Sequence, residues 1–300
     1  MTVLDRAVID KLWLFAGIAA STWFIVTATR MAPRLPVSRW AALVAAVGIW
    51  SVPVLLTARL GQINWLLALA VMLDLKLERD RPRAAGIATG FAAAVKLYPA
   101  AALLYFLAKR NWDALRRAII TAVALSALAA VVMPHESLDY WTKQIFAIDR
   151  IFGADNPLSV SIRREIRWLP LPDGATTILW LATAALLGWI ALRRIGTAVE
   201  RGNPLAGATI AMCAGSACFP LSWSHHLYFL LPATLLWLGD GREPHRRLGA
   251  AALCAVLFEG LHPGRNATFV VARAIALVVV VVALPIDQEQ APGVSPGGSP

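Results

Sequence analysis

The chain is a succession of apolar runs separated by short charged joints, and this alternation limits the folds open to it. About eleven runs follow one another, among them Leu12–Thr29, Trp40–Thr57 and Ala267–Leu284. Only 15% of the residues are charged, against about 25% in soluble domains. Irregular backbone cannot face lipid, so such runs cross a bilayer as helices. We predict an all-α, polytopic transmembrane helical bundle over residues 1–286 with about eleven spans.

Several runs are shorter than the roughly 20 residues that a straight crossing needs. Ala84–Val95 and Leu97–Ala108 are examples. Local thinning of the bilayer, or a cavity cut into one face of the bundle, accounts for short spans. Run boundaries misplaced by two to four residues account for them equally well.

Lysine and arginine residues collect in alternate joints. More than half of the 28 basic residues lie in five of them, namely 30–39, 76–83, 109–117, 193–201 and 242–247. By the positive-inside rule these joints face the cytoplasm, and the other joints face outward together with the long polar segment 134–174. Because the basic residues set topology in this way, the net charge of +10 does not indicate a nucleic-acid partner.

Lys96 interrupts the stretch Ala84–Ala108, which fits either one helix or two. One helix would invert the side of every later joint, whereas two short helices meeting at Lys96 keep the alternation. Pro99 supports a break, since proline disfavours helical conformation in the residue before it. We predict two helices with Lys96 at an outer turn. Its ammonium there either meets an anionic partner such as a lipid phosphate or extends to the headgroups.

Two more polar motifs fall on the predicted outer face. Gln62 and Asn64 flank a tight turn, where their amides suit sugar hydroxyls or a pyrophosphate-like group, and where Asn64 equally suits a helix cap. In a helix, residues two apart lie on different sides. His225 and His226 are suited to donating hydrogen bonds to a phosphate or to moving a proton. Helical neighbours point about 100° apart, so we expect one of the pair to face a cavity.

The segment 134–174 is the longest polar stretch, and it is either a functional loop or a solvated connector. Asn156 is followed by Arg163 and Arg164. An arginine fork binds phosphate through two hydrogen bonds, and asparagine binds sugar hydroxyls. The alternative is a surface loop in which these arginines pair with Glu165.

Three remaining predictions concern helix packing, the end of the chain and metal binding. Gly86 and Gly90 have the spacing that lets two helices approach closely. Residues 287–300 are rich in proline, glycine and serine, a composition typical of a disordered segment, and we predict a disordered cytoplasmic tail. No third metal ligand accompanies the histidine pair at a recognisable spacing, so no metal site is predicted.

Four of these motifs resemble glycosyltransferase family 87, whose members are polytopic membrane enzymes of the GT-C type. In chain order they are Gly61–Asn64, Gly86–Lys96 with Pro99, the Asn156 region with Arg163, and Ser222–His226. The resemblance implies a mannosyltransferase, or a related arabinofuranosyltransferase, that uses a polyprenyl-phosphate-linked sugar donor and inverts the sugar linkage. The implied acceptor is an envelope glycolipid or polysaccharide on the outer face of the plasma membrane. The implied partners also include membrane lipids, and no cofactor is expected.

The resemblance also assigns roles to residues. The donor phosphate is assigned to Lys96, His225, His226 and Arg163, and the sugar or acceptor pocket to Gln62, Asn64 and Asn156. The sequence Asn156-Pro157-Leu158-Ser159 departs from the Asn-Gln-Ser-like sequence usual in the family. The family's base aspartate lies in an outer loop after the first helix, and no residue here is assigned to that role. We therefore expect the first helix and outer loop of the family to be missing from this chain. The alternative function is that of an inactive relative that binds lipid or acts as a scaffold.

Overall fold

The computed structural model describes residues 5–33, 37–147, 158–258 and 267–287. Over these ranges the chain is helical, and the only strand-like pairing is an isolated antiparallel bridge between Ser159 and Trp223. The prediction of an all-α fold is confirmed. The helices are α1 (Arg6–Met31), α2 (Val37–Gly48), α3 (Val52–Arg59), α4 (Asn64–Asp80), α5 (Ile87–Val95), α6 (Leu103–Ala108), α7 (Trp112–Val132), α8 (Pro134–Asp139), α9 (Ile162–Arg167), α10 (Asp173–Glu200), α11 (Pro204–Cys218), α12 (Leu230–Leu238), α13 (Pro244–Leu257) and α14 (Ala267–Ala283).

Three of the described helices, α1, α7 and α10, are long and apolar enough to cross a membrane. Much of their apolar surface does not pack against the rest of the bundle. Val131 of α7 and Ile178 of α10, for example, are 80% and 70% exposed. Contiguous apolar surface of this kind faces lipid rather than water. The chain is an all-α membrane protein.

The apolar run Trp40–Thr57 forms two helices rather than one. α2 ends at Gly48, and α3 begins at Val52 after Ser51, whose ψ of 149° is extended. Pro53 lies in the first turn of α3, where the amide hydrogen that proline lacks has no helical acceptor. A proline therefore starts a helix here, inside a stretch that hydropathy alone treats as continuous.

Glu78, near the end of α4, joins the ends of three helices. Its carboxylate accepts hydrogen bonds from Tyr105 Oη at 2.8 Å and Asn111 Nδ2 at 2.7 Å, and it lies 3.0 Å from Lys109 Nζ. The basic joints 76–83 and 109–117 therefore lie at the same end of the bundle, as the charge pattern predicts. Since α5 starts near this end and α6 returns to it, the two helices form a hairpin.

Gly86 and Gly90 bring α5 into close contact with α7. A Cβ atom at Gly90 would meet the carbonyl oxygen of Ala118 well inside van der Waals distance, and one at Gly86 would meet the backbone of Ala114. Gly86 also has a φ of 97°, which favours glycine. The close packing predicted from the glycine spacing is confirmed, and it fixes the helix that leads to Lys96.

Asp287, at the end of the described chain, belongs to the packed body. Its carboxylate forms a two-fold ion pair with Arg246, with Nη1–Oδ1 at 3.0 Å and Nη2–Oδ2 at 2.7 Å, and its carbonyl accepts from Asn203 Nδ2 at 3.0 Å. The body thus extends one residue past the predicted boundary at 286, because Arg246 requires a counter-charge. Residues 288–300 lie outside the described part of the chain.

Candidate functional site

Lys96 lies at the turn between α5 and α6. α5 ends at Val95, Lys96 is extended with φ −152° and ψ 135°, and a 3-10 turn begins at Tyr98. The predicted break at Lys96 is confirmed. Its ammonium donates to Gln62 Oε1 and Asn64 Oδ1, each at 3.1 Å. The turn before α4 and the turn after α5 are therefore held together by one lysine.

Gln62 and Asn64 lie on the same side of their turn. The expectation that they point apart applies to a helix, but α4 begins only at Asn64 and leaves Gln62 outside it. The residue that caps α4 is Ile63, and the Asn64 amide instead donates to Thr57 Oγ1 at 3.5 Å. The Asn64 side chain therefore accepts a hydrogen bond from Lys96 and does not cap the helix.

The histidine pair lies in a 3-10 turn, Ser224–Phe229, that leads into α12. The imidazole of His226 stacks on Tyr98, and the imidazole of His225 meets it edge to face with ring centroids 4.7 Å apart. Thr57 Oγ1 donates to the carbonyl of His225 at 3.4 Å. Three turns that are distant in sequence therefore meet. The Lys96 cluster, as we name it, consists of Gln62, Asn64, Lys96, His225 and His226.

The Lys96 cluster holds one positive charge and two neutral imidazoles. Burial lowers the pKa of Lys96 to about 8. Burial, with the charge of Lys96, lowers the pKa of His225 to about 3, and burial beside His225 and Lys96 holds the pKa of His226 well below its usual value. At neutral pH the lysine is therefore mostly protonated, and neither histidine is.

His226 has one ring nitrogen available to a ligand. Its Nδ1 accepts from the backbone amide of Trp223 at 3.3 Å. In a neutral imidazole the proton then resides on Nε2. Nε2 is buried and has no hydrogen-bond partner among the residues the structure describes. The ring is thus held as a donor that no described residue satisfies.

The Lys96 cluster is suited to an anion. Within the described ranges no carboxylate pairs with Lys96, whose oxygen partners are both neutral amides. An ammonium and an imidazole N–H form short, strong hydrogen bonds with phosphate oxygens. The amides that now accept from Lys96 also carry NH₂ groups, which can bind hydroxyls.

Residues 159–161 of the segment 134–174 pack against the residues that precede the histidine pair. Val160 N donates to Ser222 O at 2.8 Å, and Ser161 Oγ donates to Pro220 O at 3.3 Å. Trp223, next in the chain, stacks on His225 with ring centroids 6.1 Å apart. The segment is also partly regular, since α8 is followed by a π-helical turn at Tyr140–Gln144.

Arg163 and Asn156 remain predictions. Arg163 is half-buried in α9, and its guanidinium lies over the ring of Trp180 in α10 at 5.8 Å. Asn156 lies outside the described residues.

Of two buried arginines, the sequence singled out Arg164 only together with Arg163 and did not single out Arg273. Arg273 in α14 is 1% exposed; its Nη1 donates to Ser224 Oγ at 3.3 Å and its Nε to Val256 O at 3.0 Å. A signal was present for Arg273, because an ionisable residue inside a membrane-spanning apolar helix is a candidate functional position by default. Arg164, 2% exposed in α9, was considered for phosphate only as one of a pair with Arg163, and its ion pair with Glu165 is the one that the alternative expects.

The fold defines an all-α membrane protein in which a lysine, two amides and two imidazoles meet in the Lys96 cluster. The model of glycosyltransferase family 87 matches residues 1–222, and the chain therefore belongs to this family. The match ends just before the histidine pair. No solved structure matches the chain significantly.

Three relatives carry informative names. The chain is 30% identical over 242 residues to the polyprenol-phosphate-mannose-dependent alpha-(1-2)-phosphatidylinositol pentamannoside mannosyltransferase of Mycolicibacterium smegmatis, covering 80% of this chain and 58% of the relative. It is 32% identical over 203 residues to the alpha-(1-2)-phosphatidylinositol mannoside mannosyltransferase of the same organism, covering 65% and 46%. The corresponding Mycobacterium tuberculosis enzyme is 31% identical over 194 residues, covering 65% and 45%. The chain spans about half the length of these curated relatives.

Proposed function

We propose that this chain transfers a mannosyl, or related, residue from a polyprenyl-phosphate-linked donor to an envelope glycolipid or polysaccharide. Membership of the family and the names of the relatives support the donor and suggest a phosphatidylinositol mannoside as the acceptor. The observation that carries the proposal is the Lys96 cluster, which holds an ammonium bound only by two neutral amides and, on a neighbouring turn, a buried imidazole N–H with no partner among the described residues.

In this proposal the cluster binds the phosphate that leaves. As the bond between the anomeric carbon and the phosphate oxygen breaks, negative charge grows on the phosphate, and pre-positioned donors stabilise it. The residues assigned to the phosphate are Lys96, His225, His226 and Arg163. Gln62, Asn64 and Asn156 are assigned to the sugar or acceptor. Inversion requires a base to take the proton of the acceptor hydroxyl, and no described residue is assigned to it.

We further propose that about eleven segments cross the plasma membrane and that the Lys96 cluster opens outward. The support is the alternation of basic joints, together with the meeting of joints 76–83 and 109–117 at one end of the bundle. Labelling of single cysteines tests it, in a background with the three native cysteines replaced. Gln62→Cys should react with an impermeant reagent added outside the cell, and Arg81→Cys should not. The opposite result would refute the orientation.

A transfer assay tests the activity. Radiolabelled polyprenyl-phosphate-mannose and a phosphatidylinositol mannoside would be incubated with the purified wild-type chain and with Lys96→Ala and His225→Ala. We expect the wild type to transfer mannose and both variants to do so at least tenfold more slowly, since a hydrogen bond to a charged group contributes about 1.5–3 kcal/mol.

Lys76→Ala is the matched control, because Lys76 is an exposed lysine of α4 in the predicted cytoplasmic joint. It should transfer mannose as the wild type does. Undiminished transfer by both site variants would remove the site assignment. Binding of polyprenyl phosphate without any transfer would favour the inactive, lipid-binding alternative.

A further inference from the structure

Arg164 is a buried charge in which two of the three guanidinium nitrogens have no hydrogen-bond partner within the described ranges. Its Nη1 donates to Glu165 Oε1 at 2.6 Å, and its guanidinium lies 4.2 Å from the ring centre of Trp168. Nε and Nη2 are buried and have no hydrogen-bond partner within the described ranges. A buried charged donor of this kind requires an acceptor, because losing water without replacing it is costly.

The two unused nitrogens lie on one edge of the guanidinium. Their N–H groups are parallel and are spaced to bind two oxygens of the same phosphate or carboxylate. Glu165 holds the opposite nitrogen, and Trp168 packs against the flat face. The edge is therefore fixed in orientation before a ligand arrives, which reduces the entropy lost on binding.

Arg164 lies in a helix whose first residues contact the segment that precedes the histidine pair. Its backbone amide is capped by Ser161 Oγ at 3.4 Å, and the same hydroxyl donates to Pro220 O. Ser222 N approaches Ser159 Oγ at 3.5 Å. α9 thus begins on the segment that leads directly into His225.

The other two arginines of α9 are placed differently. Arg163 lies over Trp180, and Arg167 is near the exposed Asp173, with Nη2–Oδ1 at 3.8 Å. Arg164 is the most buried of the three and the one with a vacant fork. We propose that Arg164 binds, through Nε and Nη2, the phosphate of a lipid substrate. This inference rests on the proposed function for the identity of the lipid, which is either the polyprenyl phosphate of the donor or the phosphoinositol of the acceptor.

Direct binding tests this assignment without requiring transfer. Polyprenyl phosphate and phosphatidylinositol would be titrated separately, in detergent, into wild type, Arg164→Ala, Arg164→Lys and Arg167→Ala. Arg164→Ala should weaken the binding of one lipid at least tenfold, and Arg164→Lys should weaken it less, since lysine keeps the charge but lacks the fork. Arg167→Ala should bind both lipids as the wild type does.

The outcome identifies the ligand. A loss confined to polyprenyl phosphate assigns Arg164 to the donor, and a loss confined to phosphatidylinositol assigns it to the acceptor. Unchanged binding of both lipids by Arg164→Ala and by Arg164→Lys would overturn the proposal, and a lowered melting temperature of these variants would then show that the arginine serves folding. A chain that binds these lipids but transfers no mannose would contradict the proposed function and leave this assignment standing.

Discussion

The imidazole of His226 lies parallel to the phenol ring of Tyr98, with ring centroids 4.6 Å apart and 9° between the planes. Tyr98 follows Lys96 at the α5–α6 turn, and its ring lies 5.9 Å from the Lys96 ammonium. The stack joins the lysine turn to the histidine turn. Together with the bond from Trp223 N to Nδ1, it fixes the direction of Nε2.

The two nitrogens of His226 are predicted to have separable roles. His226→Asn places an oxygen near the position of Nδ1, so it should keep the bond from Trp223 N while losing the Nε2 donor. We expect a near-normal melting temperature and at least about tenfold weaker binding of polyprenyl phosphate. His226→Gln is the complementary variant, with an amide near Nε2, and should bind lipid better than His226→Asn. Equal binding by the two variants would contradict the assignment.

The rate of transfer is predicted to fall as the pH rises through about 8. The pKa of Lys96 is lowered to about 8, so its ammonium loses its proton in this range. The pKa of His225 is lowered to about 3 and that of His226 also lies well below its usual value, so neither imidazole should contribute to the alkaline fall. A profile of kcat/KM against pH, which reports the free enzyme, measures this.

Lys96→Arg is the control for the alkaline limb, because arginine stays charged. Its relative activity should not fall between pH 8 and 9.

The stability of the fold should change with pH in the opposite direction to the activity. The pKa of Lys96 is lower in the folded chain than its ordinary 10.5, so the unfolded chain binds more protons between about pH 8 and 10.5. This group should make the free energy of unfolding rise across that range, and Lys96→Met should abolish the rise.

Gly90→Ala is predicted to destabilise the bundle by about 1–3 kcal/mol, since an added methyl has no space against α7. The nearest atoms are the carbonyl of Ala118 and the Cβ of Thr121. Gly196→Ala in α10 is the matched control, because nothing lies within 4 Å of its new methyl. Thermal unfolding in detergent compares the two. A melting temperature for Gly90→Ala at or above that of the control would show that α5 and α7 are less close than described.

Asp287→Asn is predicted to lower the free energy of unfolding by about 3 kcal/mol, because it removes the carboxylate that pairs with the buried charge of Arg246. The two side chains are 10% and 5% exposed. Asp113→Asn is the control: its pair with Arg116 is exposed, and we expect a change below about 1 kcal/mol. Chemical denaturation of both variants tests this. Equal losses would mean that the Arg246 pair is as solvated as a surface pair.

The sequence predicted those structural features that depend on residues close together in the chain. Residue types alone placed the break at Lys96, since charge alternation required two helices and Pro99 allowed them. The glycine spacing likewise predicted the contact of α5 with α7. The sequence left open the side on which Gln62 and Asn64 lie, because opposite sides were expected only in a helix and α4 begins at Asn64. Periodicity does not define helix boundaries to one residue.

The sequence also did not predict which charged side chains are buried. Arg164 stands among charged neighbours, a pattern that equally describes a solvated surface, and only the packing of Trp168 over its guanidinium distinguishes the two. Asp287 follows the last apolar run and belongs by composition to a polar tail. Its partner, Arg246, is 41 residues away in the chain, and no local pattern links them.

The pairing of Arg246 with Asp287 bears on how this protein is handled in the laboratory. A green fluorescent or alkaline phosphatase reporter joined directly after Ile286 would delete the carboxylate that α13 needs. A chimera of that kind would fold poorly, and its weak signal would be mistaken for a reporter on the wrong side of the membrane. Fusion junctions placed beyond Asp287 avoid this error.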